Sequence, residues 1–225
     1  MAQDSLSEAR TAAQANGMKE FAAVLVANAG LKQAAYGNCS NAKALVQRSL
    51  AELLDGENRR FAAVALAQCG DVAATNLIDA ETKLHPLDSY VQGVFMPLVS
   101  ALNSLQTGNG PAAVAALEPA RRFERSSVPS DAPYWILYVR GRAYLQSREL
   151  ANAIAEFRKI LDFRCRHAES EIVPLAHLQL ARAYAMQNDS AAARTAYQDF
   201  LALWKDADPD IPILIAAKAE YAKLQ

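Results

Sequence analysis

The sequence has no long apolar run, few aromatic residues, little cysteine and no excess of charge of either sign. No stretch approaches the roughly 18 consecutive apolar residues that a membrane-spanning helix needs. The N-terminal residues also lack the basic-then-apolar order of a signal peptide. A formal net charge of −1 and an isoelectric point of about 6.3 argue against nucleic acid or an anionic membrane as the main partner. We therefore expect no nucleic-acid binding and no membrane insertion by this chain.

The few cysteine and histidine residues do not form a recognisable chemical motif. Cys39, Cys69 and Cys165 lie far apart without CxxC spacing, and an odd number cannot pair completely within one chain. We expect buried or incidental thiols. Cys165 is flanked by Arg164, Arg166 and His167, and cations beside a thiol favour its reactive form, but the pattern favours a loop that is merely basic.

Metal and cofactor chemistry has no support in the residue pattern. His85 and His177 have no second ligand at metal-binding spacing. Asp206, Asp208 and Asp210 alternate as in a calcium loop, but the glycine and the distal glutamate of such a loop are missing. We predict no metal site and no cofactor.

The residues that are present predict an all-α protein. Hydrophobic residues make up 52% of the 225 residues and aromatic residues only 8%, and alanine far outnumbers any β-branched residue, which favours closely packed helices over sheets. Glycine, proline and asparagine punctuate the apolar periodicity at intervals of thirty to forty residues. They divide a single predicted domain, 1–225, into helical hairpins at about 19–54, 57–86, 88–124, 133–162 and 172–204, with a terminal helix at about 210–224.

The strongest pattern is a helical hairpin that occurs twice. The segment Tyr134–Ile160 matches Pro174–Phe200 at an offset of forty residues. The alignment places Arg142 on Arg182, Ala143 on Ala183, Tyr144 on Tyr184, Ala153 on Ala193 and Phe157 on Tyr197. A match of small and aromatic residues at a fixed period is typical of a solenoid, in which each unit is too small to bury its own apolar face.

The order of residues in these units resembles the tetratricopeptide repeat. Each unit has a small residue, an aromatic residue three positions later, a turn, an alanine and a second aromatic residue: Gly141, Tyr144, Ala153, Phe157 in one unit and Ala181, Tyr184, Ala193, Tyr197 in the next. The resemblance implies a right-handed α-solenoid of about five hairpins plus terminal helices. It also implies that the small residues let paired helices cross closely, while the aromatic residues wedge between hairpins.

The C-terminal half is similar to a narrower group of proteins. The runs YVRGRAYL, AIAEFRKILD and AKAEYAKLQ resemble the tetratricopeptide region of acidobacterial-type bacterial serine/threonine protein kinases. This resemblance implies a regulatory or sensory module on either side of the membrane that anchors its parent kinase. The chain has no glycine-rich phosphate loop, no strand lysine in a VAIK-like setting, no HRD and no DFG, so we expect no catalysis from it.

The repeated arginines are the best candidates for a binding site. In tetratricopeptide arrays the place of Arg142 and Arg182 tends to face the concave groove, where two guanidinium groups can bind a carboxylate or an acidic peptide. An intramolecular salt bridge is an equally strong alternative. The further residues predicted to bind a partner are Trp135, Tyr138, Gln146 and Met186, although aromatic residues at helical spacing are also typical of a core.

The sequence thus predicts a non-catalytic module that binds a protein or peptide. One alternative is a structural or self-associating array, in which the groove is filled by the terminal helix or by another subunit. A second alternative is a small-ligand binder, which needs an enclosed polar pocket. Partner identity, oligomeric state and compartment stay open.

Overall fold

The computed structural model confirms the all-α prediction. It describes residues 2–53, 56–124, 132–166 and 170–224, and no strand occurs among them. The α-helices are α1 Ala2–Ala15, α2 Lys19–Ala35, α3 Cys39–Glu52, α4 Gly56–Gln68, α5 Ala73–Leu84, α6 Met96–Gln106, α7 Gly110–Ala116, α8 Ala132–Gln146, α9 Leu150–Asp162, α10 Ile172–Met186, α11 Ser190–Leu203 and α12 Pro212–Ala222.

The turns between neighbouring helices depend on residues in the left-handed backbone conformation. Gly37, Gly70 and Gly108 have φ angles of +83°, +67° and +76°, a region that glycine enters without steric cost. Two later turns use Arg148 and Asn188 instead, at φ angles of +59° and +63°. Each of these turns ends one helix sharply and starts the next within a few residues.

The α6 and α7 segments are irregular where proline and glycine interrupt the helical pattern. A π-helical turn at Val91–Phe95 precedes α6, and the N–H of Met96 donates to the carbonyl oxygen of Val91. Pro97 has no N–H to donate to the carbonyl of Gly93, so the ordinary four-residue register cannot continue there. In the partner helix, Pro119 lies in a 3₁₀ turn, Glu118–Phe123, that follows α7.

The chain forms two compact units, Met1–Val99 and Ser100–Gln225. In the first unit, α2 packs against α1, α3 and α4, and α4 packs against α5. In the second unit, α8 packs against α7 and α9, and α10 packs against α9 and α11. Within each unit, helices therefore contact mainly their neighbours in sequence. The assignment of all hairpins to a single repeat domain stays a prediction.

The two cores use different side chains. The first unit buries mostly small residues, including Ala22, Ala23, Ala62 and Ala63, each 0% exposed. The second unit buries large rings between its helices, of which Tyr138, Phe157 and Phe200 are at most 1% exposed. Small residues allow helix axes to approach closely, whereas rings fill the wider gaps between hairpins.

Gly141 shows why a small residue is required where α8 crosses α9. A Cβ atom built at Gly141 would lie 2.5 Å from Cε1 of Phe157, far inside the distance at which carbon atoms can approach without a clash. Phe157 is completely buried, so its ring cannot move aside into solvent. The missing side chain of Gly141 is therefore the space that the Phe157 ring occupies.

Candidate functional site

Arg182 binds a carboxylate of the chain itself. Its Nε and Nη2 atoms donate to Oε2 and Oε1 of Glu220, each at 2.9 Å, which is the bidentate geometry that a guanidinium fork prefers. The hydroxyl of Tyr197 also donates to Oε2 of Glu220 at 2.9 Å. Arg182 lies on α10, Tyr197 on α11 and Glu220 on α12, so the three groups tie the terminal helix to the hairpin before it.

The pKa values of Glu220, Arg182 and Tyr197 are shifted by partial burial and by the contacts among the three groups. Burial alone raises the pKa of Glu220, but the hydrogen bonds and the positive charge of Arg182 outweigh it and hold that pKa below its ordinary value. Burial lowers the pKa of Arg182, and the bonds to Glu220 more than compensate. Burial, followed by the bond to Glu220, raises the pKa of the Tyr197 phenol. All three groups are therefore in their ordinary charge states at neutral pH.

Arg142 occupies the equivalent place in the preceding hairpin but has a different environment. Its guanidinium carbon lies 5.6 Å from the centre of the Tyr138 ring, within the range of a cation–π contact. The two arginines are equivalent in sequence, but Arg182 contacts Glu220 of α12 whereas Arg142 contacts the ring of Tyr138. For Arg182, the intramolecular salt bridge is the arrangement that the structure contains.

Two of the aromatic residues predicted to line a groove are core residues. Trp135 is 2% exposed and Tyr138 1% exposed, and their rings contact each other edge to face at 6.1 Å. Tyr138 also accepts a hydrogen bond from Nε2 of Gln179 at 3.3 Å. Their burial corrects the expectation that they present a surface. The Tyr138 ring also lies against Phe157 of α9, with ring centres 6.3 Å apart.

The other two predicted residues lie at the surface. Gln146 is exposed at the end of α8, and its Nε2 donates to the carbonyl oxygen of Leu105 at 3.1 Å. Met186 is 41% exposed at the end of α10. The structure therefore does not gather the six predicted residues into one site, since two are buried and one is bound to Glu220. Whether any of them contacts a partner stays a prediction.

The sequence interpretation missed the buried ion clusters. In the first unit, Glu81 is completely buried and accepts from Nη1 of Arg59 at 2.7 Å and from Nε of Arg60 at 3.0 Å. Arg60 extends the cluster through Nη2 to Asp88 at 2.9 Å. These residues lie on α4, on α5 and in the following turn. No local spacing in the sequence indicates this contact, because its partners are more than twenty residues apart.

A second cluster surrounds Arg140, which is completely buried in the second unit. Its Nη1 lies 2.5 Å from Oε1 of Glu124, and its Nη2 donates to Oε2 of Glu156 at 2.5 Å. Glu156 also accepts from Nζ of Lys159 at 2.7 Å. A buried cation needs such compensation, because removing charge from water costs several kcal/mol. This cluster fixes α8 to α9 and does not open to a substrate.

Two of the cysteines form a disulfide, which corrects the expectation of incidental thiols. Cys39 at the start of α3 is bonded to Cys69 just after α4, with Cα atoms 5.5 Å apart. The odd number of cysteines leaves one thiol, and the free one is Cys165, which is exposed. Neighbouring Arg164 donates from Nη1 to the carbonyl oxygen of Leu161 at 3.0 Å. His167 lies outside the described residues.

The described residues contain no group of three or more histidine, cysteine, aspartate or glutamate side chains that could hold a metal ion. His177 and Asp199 form a histidine–carboxylate pair, in which Nδ1 and Oδ2 lie 3.4 Å apart. Among the helices described, none combines the length and the apolar character that a membrane crossing requires. Neither family models nor curated proteins match this chain.

Proposed function

We propose that this chain is a non-catalytic protein-interaction module, built as a right-handed α-solenoid of tetratricopeptide-like hairpins, that binds a helical segment carrying a carboxylate. The observation that carries the proposal is the surface against which α12 packs, which we call the seat of α12. It includes Arg182 of α10 and Tyr197 of α11. Arg182 on α10 and Tyr197 on α11 together hold one carboxylate, that of Glu220, on a helix laid against them. The geometry of that seat is one that an acidic helix of a partner would need.

The seat has an apolar part as well as a polar one. Leu214 and Ala217 of α12 are 2% and 0% exposed and lie about two turns and about one turn before Glu220, respectively. Arg194 of α11 donates from Nη1 to the carbonyl oxygen of Leu224 at 3.1 Å, and Gln198 donates to the hydroxyl of Tyr221 at 2.9 Å. Two small apolar anchors with a polar edge are typical of a helix held in a groove.

The contacts that keep α12 in place are weak enough for another helix to replace it. The side chains of Arg182 and Glu220 are 27% and 32% exposed, and ion pairs in contact with water contribute only about 1 kcal/mol or less. The helix has 11 residues, which is below the length at which a helix is stable without packing. We therefore infer that α12 opens more readily than α10, which is buried on several sides.

The competing proposal is a structural array in which α12 is a permanent cover. The observation that favours it is the same burial of Leu214 and Ala217, because a terminal helix that shields the last hairpin would also bury these residues. The association with a bacterial serine/threonine kinase is a separate proposal that rests on the resemblance of the C-terminal segment alone. A kinase catalytic domain in the same reading frame would support it.

The two functions can be separated with a peptide that carries the α12 sequence. The Leu214→Asp variant should detach α12 by placing a charge in its buried anchor, while α8 to α10 stay protected from hydrogen exchange. We expect a fluorescein-labelled peptide of residues 208–224 to bind this variant saturably in an anisotropy titration. Adding Arg182→Glu should weaken binding at least tenfold, equivalent to about 1.4 kcal/mol.

The matched control is the same peptide with Glu220→Gln, which should bind more weakly to the Leu214→Asp chain and be insensitive to Arg182→Glu. The interaction proposal is overturned if the wild-type peptide does not bind the opened chain. It is also overturned if α12 in the unmodified chain exchanges its amide hydrogens as slowly as α10. Either result favours the permanent cover.

A further inference from the structure

The first unit contains a pocket of about 640 Å³ at the junction of α1, α2 and α3. Its volume lies in the range of sites that bind small molecules, about 300–1,000 Å³. The walls combine apolar side chains, such as Leu6 and Leu45, with polar ones, such as Tyr36 and Asn41. Such a mixed lining suits a ligand that has both an apolar body and a polar group.

The pocket follows from the spacing of small residues on two helices. Ala29 on α2 and Ala44 on α3 both line it, and each is followed one turn later by a charged side chain, Lys32 and Arg48. Residues three or four positions apart share one face of a helix. The alanines therefore leave the space, and the cations lie on the same faces of the same helices.

Among the residues that the structure describes, two cations and one carboxylate line the pocket. Lys32 lies on α2, Arg48 on α3 and Asp4 on α1. Arg48 is only loosely engaged, because its Nε is 3.8 Å from Oε1 of Glu52. That same Glu52 oxygen is bound by Arg10, so its charge is shared. The side chain of Arg48 is 45% exposed, which leaves its fork accessible to an anion.

We propose that this pocket binds an organic acid with an apolar body, with its carboxylate at Arg48 and Lys32 and its apolar part against Leu6, Ala29 and Leu45. A guanidinium fork and an ammonium on neighbouring helices attract an anion from two sides. The tyrosine hydroxyl and the asparagine amide supply polar groups that orient it. The site lies in the first unit and does not depend on the seat of α12 in the second.

The test uses anilinonaphthalene sulfonate, a fluorescent anion with an apolar body, as the probe. We expect saturable binding of one probe per chain in a fluorescence titration of the full chain. Arg48→Glu and Lys32→Glu should each weaken binding at least tenfold, since each replaces attraction with repulsion. Ala44→Trp should abolish it by filling the pocket without changing any charge. Ala44 is exposed, so this variant should fold, as circular dichroism can check.

The matched control is Lys19→Glu, the same change of charge on α2 at an exposed residue outside the pocket. It should leave the affinity unchanged. Equal affinity of the probe for the wild type, Arg48→Glu and Ala44→Trp would overturn the proposal and identify the signal as adventitious binding. Equal losses in Arg48→Glu and Lys19→Glu would overturn it as well, because they would show a response to net charge alone.

Competition against the bound probe identifies the source of the carboxylate. Decanoate represents a free organic acid, and acetyl-trileucine with a free C-terminal carboxylate represents a peptide end. Displacement by decanoate alone assigns the pocket to free acids, whereas displacement by both shows that any carboxylate on an apolar body suffices. The amide of the same tripeptide should not compete. Displacement by the amide would contradict the role of Arg48 and Lys32.

Discussion

Both compact units pack helix against helix, but they use different kinds of side chain to do so. The second unit places rings such as Phe157 into spaces left by residues such as Gly141. The first unit buries alanines such as Ala22 and Ala62 and adds a disulfide and a buried ion cluster around Glu81. Small side chains bury little apolar area each, and burial contributes roughly 25 cal/mol per Å². The comparison teaches that an alanine-based core gains from specific cross-links, while a ring-based core depends on shape.

The largest expected effect is the loss of a ring in the second unit. Phe157→Ala should lower the free energy of unfolding of that unit by about 3–5 kcal/mol, because it removes a completely buried ring and leaves a cavity. Hydrogen exchange resolved by residue can follow α8 and α9 separately from α2 to α4. Phe163→Ala is the control, since Phe163 is 41% exposed and should cost far less. Equal losses in the two variants would contradict the shape argument.

The second-largest effect is expected from the loss of the disulfide in the first unit. Replacing Cys39 and Cys69 by serine should lower the free energy of unfolding of that unit by about 3–4 kcal/mol, because the bond closes a separation of 30 residues. Denaturant titration of the oxidised and variant chains measures the difference. Cys165→Ser should have no effect, since that thiol is exposed and unbonded. An unchanged denaturation midpoint in the variant with both serines would show that the disulfide does not stabilise the first unit.

The next-largest effect is expected when the buried carboxylate of Glu81 in the first unit is neutralised. We expect Glu81→Gln to cost about 2–3 kcal/mol, because it removes the buried negative charge that Nη1 of Arg59 and Nε of Arg60 contact. The loss is smaller than is usual for a buried pair, since Arg60 keeps its contact with Asp88. Glu57→Gln, at an exposed position of α4, is the control in thermal unfolding. A stabilised Glu81→Gln protein would show that the cluster costs more than it contributes.

The smallest expected effect is a pH dependence in the second unit. Burial lowers the pKa of His177 below its ordinary value of 6.5, Asp199 opposes this shift, and Arg164 adds to it. The unfolded chain therefore takes up the proton more readily, so the stabilisation is complete above pH 6.5 and decreases as the pH falls below it. Unfolding curves between pH 7.5 and 5.5 measure the slope.

His177→Gln should flatten that slope relative to the unmodified chain. The carboxylates with depressed pKa values, Glu220, Asp71 and Asp88, lose their stabilisation only at lower pH. They therefore do not interfere in this window. An unchanged slope in His177→Gln would assign the pH dependence to other groups.

The helices were predictable because their signals are local. Gly37, Gly70 and Gly108 mark turns in the sequence and have positive φ angles in the structure. In the turn after α8, the left-handed residue is Arg148 rather than a glycine. Without a glycine, the sequence does not show which residue of a turn adopts that conformation. The all-α class is confirmed, while the solenoid arrangement and the family resemblance stay predictions.

The candidate site was less predictable, because its contacts join distant segments. Arg182 binds a carboxylate of the chain itself, that of Glu220, which lies 38 residues away on a separate helix, and its role toward a partner stays a prediction. The pattern at Trp135 and Tyr138 fits either a surface or a core, and the packing of α8 in the folded unit places both residues in the core. Small residues on α2 and α3 leave space for the pocket of the first unit, but only the packing of α1, α2 and α3 encloses it.

Local sequence was therefore enough to specify helices, turns and the repetition of small and aromatic residues, since each depends on neighbours within about one helical turn. Tertiary structure alone decided which charges are buried, which cysteines pair, and whether an arginine faces a partner or the chain's own terminal helix. The physical reason is that ion pairs, disulfides and pockets depend on distances of a few ångströms between residues far apart in sequence. Those distances are set only when the helices pack.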